Sequence, residues 1–554
     1  MKKIFLYFTF LLLQNTFAQN FHLKIKGQNN TETKTIDSIG YVNTFEKVSE
    51  IVEYKKSFEN KLTLLGFYQK ELLEQQKVND SSFLLVYQLG KAITEININF
   101  NTLSDNEKEL IHETSDTITI PTSEIENWMN GKLALLEKNG YALAKLQLQN
   151  VLSRKNILQA TLFFSAGSKR TFNELVIIGY DKFPENIKRN WNKKLKKRDF
   201  NQELVEEIYN DFSEFPFVNQ IKYPEILLTQ DSTKVYAYVE KSRPNKFDGF
   251  IGFANDAEKS KIVFNGYLDL ALQNIFNSGE KFNIYWRNDG NQQTSFNLGT
   301  ELPYAFKTAF GLKGNLKIFK QDSTFQNTNL DLNVGYYFSY NKKAFLGYQS
   351  TNSVDIQNSN SASLQDFNSK FYTLSFEYIK RDKNSVLFPE KTNFFLKTGI
   401  GNRTLTAETT HQILGQMEIS HNLYINEKNS INVKNQTFYL DSNNYVVNEL
   451  FRFGGINSIR GFRENTLQAS LFSGIFTEYR YILASNLFVN SIIDYGYMQD
   501  KTADIQENLL GLGFGFGLAS PNGLFSLVYA NGSTKEQTIK LSNSIVHISF
   551  KTNF

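Results

Sequence analysis

Residues 330–340 read LDLNVGYYFSY. Leu330, Leu332, Val334, Tyr336, Phe338 and Tyr340 alternate with Asp331, Asn333 and Ser339. A period of two puts one apolar and one polar face on a single strand. The texture extends on both sides. Ile262, Phe264, Gly266, Leu268, Leu270 and Leu272 lie opposite Lys261, Asn265, Asp269 and Gln273. Phe282, Ile284 and Trp286 alternate with Asn283, Tyr285 and Arg287. Short turns such as NSGEK (277–281) and SPNG (520–523) join some neighbours, and the polar stretch STNSVDIQNSNSASLQDFNSK (350–370) reads as a long loop. Short turns at one end and long polar loops at the other are the pattern of a transmembrane barrel. Such a sheet must close, because an open edge leaves amides unpaired in hydrocarbon. From Phe247 to Phe554, at roughly 19 residues per strand and connection, the length allows about 16 antiparallel strands.

A soluble sandwich or propeller is the alternative. The aromatic load, 49 Phe and 28 Tyr, argues against it, as does the N-terminus. There Lys2 and Lys3 precede an apolar run, Ile4 to Leu13, and small residues follow at Thr16-Phe17-Ala18. This run is too short to span a bilayer and reads as a signal peptide over residues 1–18 rather than a buried helix. Mean hydropathy is −0.38, too polar for a helical membrane protein. Net charge is only +4, so no global basic field points to nucleic acid. Cysteine is absent, which excludes disulfides, thiolate metal sites and cysteine nucleophiles.

Before the barrel the chain carries a weak repeat. LTLLGFYQKEL from 62, LALLEKNGYALAKL from 133 and YNDFSEFPFVNQI from 209 each end a helical pattern on an aromatic turn, at Phe67, Tyr141 and Phe217. A strand pair follows each turn. Ile125, Trp128, Leu133 and Leu136 keep helical spacing, as do Ile187, Trp191 and Leu195. Thr122-Ser123-Glu124 is expected to cap the second unit's helix. The reading is three α+β modules, at 20–92, 93–168 and 170–243, followed by a barrel at 245–554. Exposed edges on such modules can accept an added strand from another chain. The basic run IKRNWNKKLKKRD (187–199) is either a solvated helix face or a contact for anionic head groups.

Two further stretches carry specific information. Val546, Ile548, Phe550, Thr552 and Phe554 share one face of a final strand that stops on an aromatic. Upstream, FRFGGINSIRGFREN (451–465) holds Arg460 among glycines, which alone reads equally as a flexible loop with a solvated arginine. Three modules, a barrel and this FxxGGxxxIRGF stretch together resemble the BamA/TamA superfamily of outer-membrane assembly factors, closest to the TamA type. The modules look like POTRA domains. NKFDGFIGF (245–253) looks like the family's first strand, and TEYRYIL (477–483) and SIIDYGY (491–497) like the strands after its sixth extracellular loop.

The resemblance implies that this loop folds into the barrel. Gly454, Gly455, Ile459, Arg460, Gly461 and Phe462 form its anchor motif, and Glu478 and Asp494 are Arg460's partners on the wall. A buried pair of this kind costs about 3–5 kcal/mol to break. Phe550 and Phe554 correspond to the C-terminal signal by which barrels are recognised for insertion. The implied protein lies in the outer membrane with its modules in the periplasm. It binds unfolded outer-membrane or secreted clients on the modules and inserts them through a barrel opening between its first strand (about 249–256) and its last (545–554). Outer-membrane lipids are further partners, with accessory proteins of the periplasm or inner membrane as candidates, and neither cofactor nor nucleic acid is implied. The alternative is a polypeptide-secretion pore of the two-partner type, blocked by the loop until its client passes. A barrel enzyme is disfavoured: His22, His112, His411, His421 and His547 show no metal-ligand spacing, no GxSxG elbow occurs, and GLGFGFG (511–517) fits a strand with one small-residue face.

Overall fold

The computed structural model describes residues 20–154, 157–256, 261–288, 293–357, 363–382, 385, 387–406, 408–521 and 523–553. The expected leader at 1–18 and Phe554 lie outside the described residues. The chain divides into two compact units: one reaches Thr171 and includes Asp199–Glu203, the other holds Phe172–Arg198 and Leu204–Phe554.

The first unit contains two modules of one topology. The first runs β1 (Phe21–Gly27), α1 (Asn30–Ile39), β2 (Thr44–Phe45), α2 (Val48–Leu64), β3 (Glu71–Asn79) and β4 (Ser82–Gln88). The second runs β5 (Glu95–Asn99), α3 (Asp105–Leu110), β6 (Thr117–Pro121), α4 (Ile125–Lys138), β7 (Lys145–Arg154) and β8 (Ile157–Ser165). Their sheets have equivalent orders, β2-β1-β4-β3 and β6-β5-β8-β7, with the central pair parallel in each. One core packs Phe58 and Leu62 against Leu23, Ile25 and Tyr87; the other packs Leu136 against Ile96, Ile98 and Leu162. Each module's exit segment docks on the turn after its last helix: the Ile93 amide donates to Gly66 O at 2.9 Å, and the Arg170 amide to Gly140 O at 2.8 Å. Thr122 does not cap α4. It belongs to a 3-10 turn directly off β6, and its hydroxyl donates instead to Ile93 O at 3.0 Å, tying the turn to the exit segment.

The second unit begins with β9 (Glu174–Ile178), α5 (Glu185–Leu195), α6 (Gln202–Ser213), β10 (Val218–Gln220), β11 (Glu225–Leu228) and β12 (Thr233–Lys241). Strand β12 pairs in parallel with β9 and antiparallel with β10 and β11. Ile187, Trp191 and Leu195 of α5 and Leu204, Val205, Ile208 and Phe212 of α6 are buried, and Trp191 meets Phe212 edge-on at 4.8 Å. The module rests on the barrel's rim. Asn186 Nδ2 donates to Ser278 O at 2.9 Å and to Pro303 O at 3.0 Å, and Phe215 packs 4.6 Å from Tyr340.

The barrel is closed and has 16 antiparallel strands. They are β13 (Lys246–Asp256), β14 (Lys261–Gln273), β15 (Lys281–Asn288), β16 (Gln293–Leu302), β17 (Phe310–Gln321), β18 (Phe325–Ser339), β19 (Lys342–Asp355), β20 (Phe367–Arg381), β21 (Glu390–Thr404), β22 (Thr409–Tyr424) and β23 (Asn429–Ser442), then, after a hairpin of β24 (Phe451–Phe453) and β25 (Leu467–Ala469), β26 (Leu471–Ala484), β27 (Leu487–Asp500), β28 (Ile505–Ser520), β29 (Gly523–Ser533) and β30 (Ile545–Asn553). Alternation makes the outer face apolar, with Leu332, Leu346, Tyr372, Ile400, Phe514 and Ile548 pointing out, and the inner face polar, with Lys343, Asp355, Lys397, Arg403 and Asp494 buried. This is the surface that hydrocarbon requires of a spanning sheet.

Of the stretch expected as a loop, 350–355 and 367–370 are strand. Strand β19 persists to Asp355 and β20 starts at Phe367, with Ser353, Asp355 and Ser369 buried inside and Val354 outside. Its Asn/Ser-rich composition reflects a polar lumen. Closure is uneven. All of the 11-residue β13 pairs with β14, whereas among the described residues β13 meets β30 only through Lys246–Asn553 and Phe247–Thr552.

Candidate functional site

The longest connection of the barrel, residues 443–470, joins β23 to β26 at the end away from the third module and lies within the lumen. Its hairpin stacks on the wall through rings: Phe451 lies 4.5 Å from Phe438, and Phe453 lies 3.9 Å from Phe472. Ile459 and Phe462 complete a buried cluster with Phe472, Phe476, Met498 and Leu509. Leucine and phenylalanine at lumen positions are thus covered by the loop rather than by water.

Arg460 is the centre of this arrangement. Its backbone amide donates to Asp494 Oδ2 at 2.9 Å and its Nε to the same oxygen at 2.8 Å. Its two terminal nitrogens reach Asp494 Oδ1 and Glu478 Oε1. Arg460 is 5% exposed and Asp494 0%. Glu478 and Asp494 stand on the adjacent strands β26 and β27, facing the lumen. Glu478 also accepts from Arg480 Nε at 2.8 Å, and the Arg480 guanidinium lies 4.3 Å from the Phe388 ring centroid. Two cations and two carboxylates therefore form a neutral, interlocked set. Bidentate, desolvated pairing of this kind fixes position more than any exposed pair can.

The backbone beside Arg460 needs room that only glycine gives. Gly461 has φ +88°, and a Cβ there would lie 2.3 Å from Asn531 C and from Gly532 N. Gly511 and Gly532 face each other across β28 and β29, and a Cβ on either would approach Arg460 O at 2.4 Å or Gly461 O at 2.6 Å. Of the glycines in 511–517 it is Gly511 that meets the loop, and with Gly532 it forms the floor beneath Arg460 and Gly461. Gly454 and Gly455, both at positive φ, turn the chain back at the loop's entry, where the Gly455 amide donates to Ile459 O at 3.1 Å.

Sequence reasoning missed the loop's other ion pairs. Glu464 pairs with Arg287 on β15 and accepts from Tyr285 Oη at 3.1 Å. Glu449 pairs with the buried Arg403 on β21. Deeper in the lumen, Glu301 accepts from Tyr337 Oη at 2.8 Å and pairs with Lys343, which also lies 3.3 Å from Glu377. Every barrel strand offers lumen-facing polar residues, so spacing alone does not say which of them meet. A cavity of about 550 Å³ remains beside the loop, lined in part by Lys313, Lys317, Asp331, Lys397 and Arg452. Among the described residues no group of His, Asp and Glu is arranged to hold a metal ion. Phe550 lies on the outer face of β30, half-exposed and paired opposite Phe525.

No protein-family model and no curated relative matches this sequence. Solved structures do. CdiB from Escherichia coli aligns with a TM-score of 0.52 at 11% identity, over 91% of this chain and 98% of that one. CdiB from Acinetobacter baumannii aligns at 0.51 and 12%, over 91% and 97%. BamA from Haemophilus ducreyi lacking POTRA domains 1-3 is also found, at 0.46 and 14%, over 82% and 98%. The chain thus has, from its N-terminal modules through its 16-stranded barrel, a fold similar to the two CdiB structures along nearly their whole length.

Proposed function

We propose that the protein is an outer-membrane assembly factor of the BamA/TamA superfamily. It holds unfolded outer-membrane or secreted clients on periplasmic POTRA-like modules and releases them into the membrane through a barrel that opens between β13 and β30. The seam carries this reading. Among the described residues, two paired residues on each strand hold it, while neighbouring strands pair along their length. Separating it breaks few hydrogen bonds, each worth about 1 kcal/mol net in water and more in lipid. The free edges then offer a template for a client strand. Three modules before the barrel favour the TamA type within the superfamily. The chemistry is conformational: client folding and burial in lipid supply the driving force, and no catalytic group is assigned.

The chain has no cysteine, so a seam lock is clean to build. Phe247→Cys with Thr552→Cys joins two residues that pair directly, at a separation suited to a disulfide. Oxidation is expected to stop client insertion, and reduction to restore it. A locked barrel that inserts clients normally sinks the gating idea.

The loop inside the lumen favours a second reading, a polypeptide-secretion pore that the loop obstructs until a client displaces it. Comparing outer-membrane proteomes with and without the protein separates the two. Loss of many barrels supports assembly, and loss of one secreted partner supports the pore.

A further inference from the structure

The third module and two neighbouring barrel turns meet at one place on the rim. Asn186 of α5 bridges them, holding Ser278 O of the β14–β15 turn and Pro303 O of the β16–β17 turn. Both turns push large apolar side chains outward. Phe276 is 72% exposed and Phe306 is 90% exposed. Neither is presented by a slack loop. In the first turn the Glu280 carboxylate accepts from the Phe276 amide at 2.7 Å, the Ser278 amide at 3.0 Å and the Ser278 hydroxyl at 2.6 Å, and Asn274 Oδ1 accepts from the Gly279 amide at 2.8 Å. In the second turn Tyr304, Phe306 and Lys307 all hold positive φ, a conformation unfavourable for bulky residues, while the neighbouring Tyr304 and Ala305 are buried. The backbone accepts strain and the result is a fully displayed phenyl ring.

These rings continue the barrel's outer apolar face. Leu302 and Phe310 flank Phe306 and point outward, Phe310 stacks edge-on with Tyr336 at 5.5 Å, and Phe276 does so with Phe282 at 6.1 Å. Alongside them α5 carries the basic run. Arg189 and Lys193 stand three and seven residues after Asn186, hence on the same helix face, and both are exposed.

We propose that this rim is a lipid-docking surface: Phe276 and Phe306 enter the interfacial layer of the near leaflet, and Arg189 and Lys193 contact phosphate head groups there. Aromatic rings at the boundary with cations just beyond it match the polarity gradient of a bilayer surface. The surface fixes the third module against the membrane on the side of the barrel that begins at β13. The inference rests on the reading that the barrel spans a membrane.

The test uses the full chain in lipid nanodiscs, with one cysteine introduced at a time and spin-labelled: Phe276→Cys, Phe306→Cys, Leu332→Cys on the outer face and Asp231→Cys on the exposed β11–β12 turn. Collision with oxygen relative to a polar nickel chelate reads depth. Leu332 reading as aqueous overturns the membrane reading itself, and with it this proposal. With Leu332 in lipid, labels at 276 and 306 are expected to show an oxygen-to-nickel ratio several-fold above that at 231, and ratios equal to that at 231 overturn the docking surface, leaving these rings to a protein partner or a second copy. In discs rich in anionic lipid, Arg189→Gln with Lys193→Gln is expected to lower the ratio at 306. A ratio at 306 indifferent both to lipid charge and to these substitutions overturns the part assigned to the cations.

Discussion

Arg460 holds Asp494 through both its backbone and its side chain, with the amide at 2.9 Å and Nε at 2.8 Å on the same carboxylate oxygen. Among the described residues, the hydrogen bonds that this carboxylate accepts come from Arg460 alone. Arg460→Ala therefore leaves a buried charge on β27 with one backbone donor. The expected loss is about 3 kcal/mol, toward the lower end for a buried pair because Glu478 keeps Arg480 as a partner. Asp494→Ala is expected to cost a similar amount, and the double variant little more than either. Thermal unfolding in detergent measures the cycle, and strictly additive losses show that the two do not act together.

How much of this was readable beforehand depends on the range of the interaction. Period-two alternation, as over Leu330–Tyr340, is a local signal, and together with the length from Phe247 to Phe554 it sufficed for a barrel of about 16 strands. Alternation did not reveal that 350–355 and 367–370 are strand, because Ser and Asn suit a polar lumen as well as a loop. Arg460 with Glu478 and Asp494 came from likeness of motif, since nothing local says where a loop arginine points. The Arg287–Glu464 pair spans 177 positions and had no motif to mark it. The Thr122 cap failed because a hydroxyl chosen by helix rules was taken by the carbonyl of a distant exit segment, Ile93.

Gly461→Ala tests the floor under the loop. The substitution adds a methyl at φ +88° into space that Asn531 and Gly532 already fill. Strain and overlap together are expected to cost about 2 kcal/mol. The loop must lift off β29, which pulls Arg460 from Asp494. Loss of the anchor is read as faster proteolysis within 443–470 with the barrel still folded, and proteolysis unchanged from the parent contradicts the close contact.

Two ion pairs of the loop are held unequally. Arg460 and Asp494 are buried, whereas the side chains of Arg287 and Glu464 are 41% and 21% exposed. Hydration reduces such a pair to about 1 kcal/mol, so roughly a fivefold change in population follows its loss. The loop should therefore yield first at Glu464. With Asn465→Cys as a reporter in a chain otherwise free of cysteine, Glu464→Gln is expected to speed maleimide labelling by that factor while the Arg460 anchor persists. Equal rates with and without the pair refute the ordering.

In the third module, burial and the neighbouring carboxylates Glu207 and Glu214 push the Asp211 carboxyl up to about 6, against the pull of Lys194 and Arg198. The fold therefore binds a proton that the unfolded chain, with its ordinary value of 3.8, has already lost over the window from about 4 to about 6. Stability of the module falls as pH rises through that window and levels off above it. Partial exposure of the side chain trims the effect to about 2 kcal/mol. Asp211→Asn is expected to abolish the slope and to raise stability at pH 7. Trp191, 4.8 Å from the Phe212 ring, is the fluorescent probe for urea unfolding in a chain whose Trp128 and Trp286 are replaced by Phe. A slope between pH 4 and 6 that survives Asp211→Asn assigns the proton to another group.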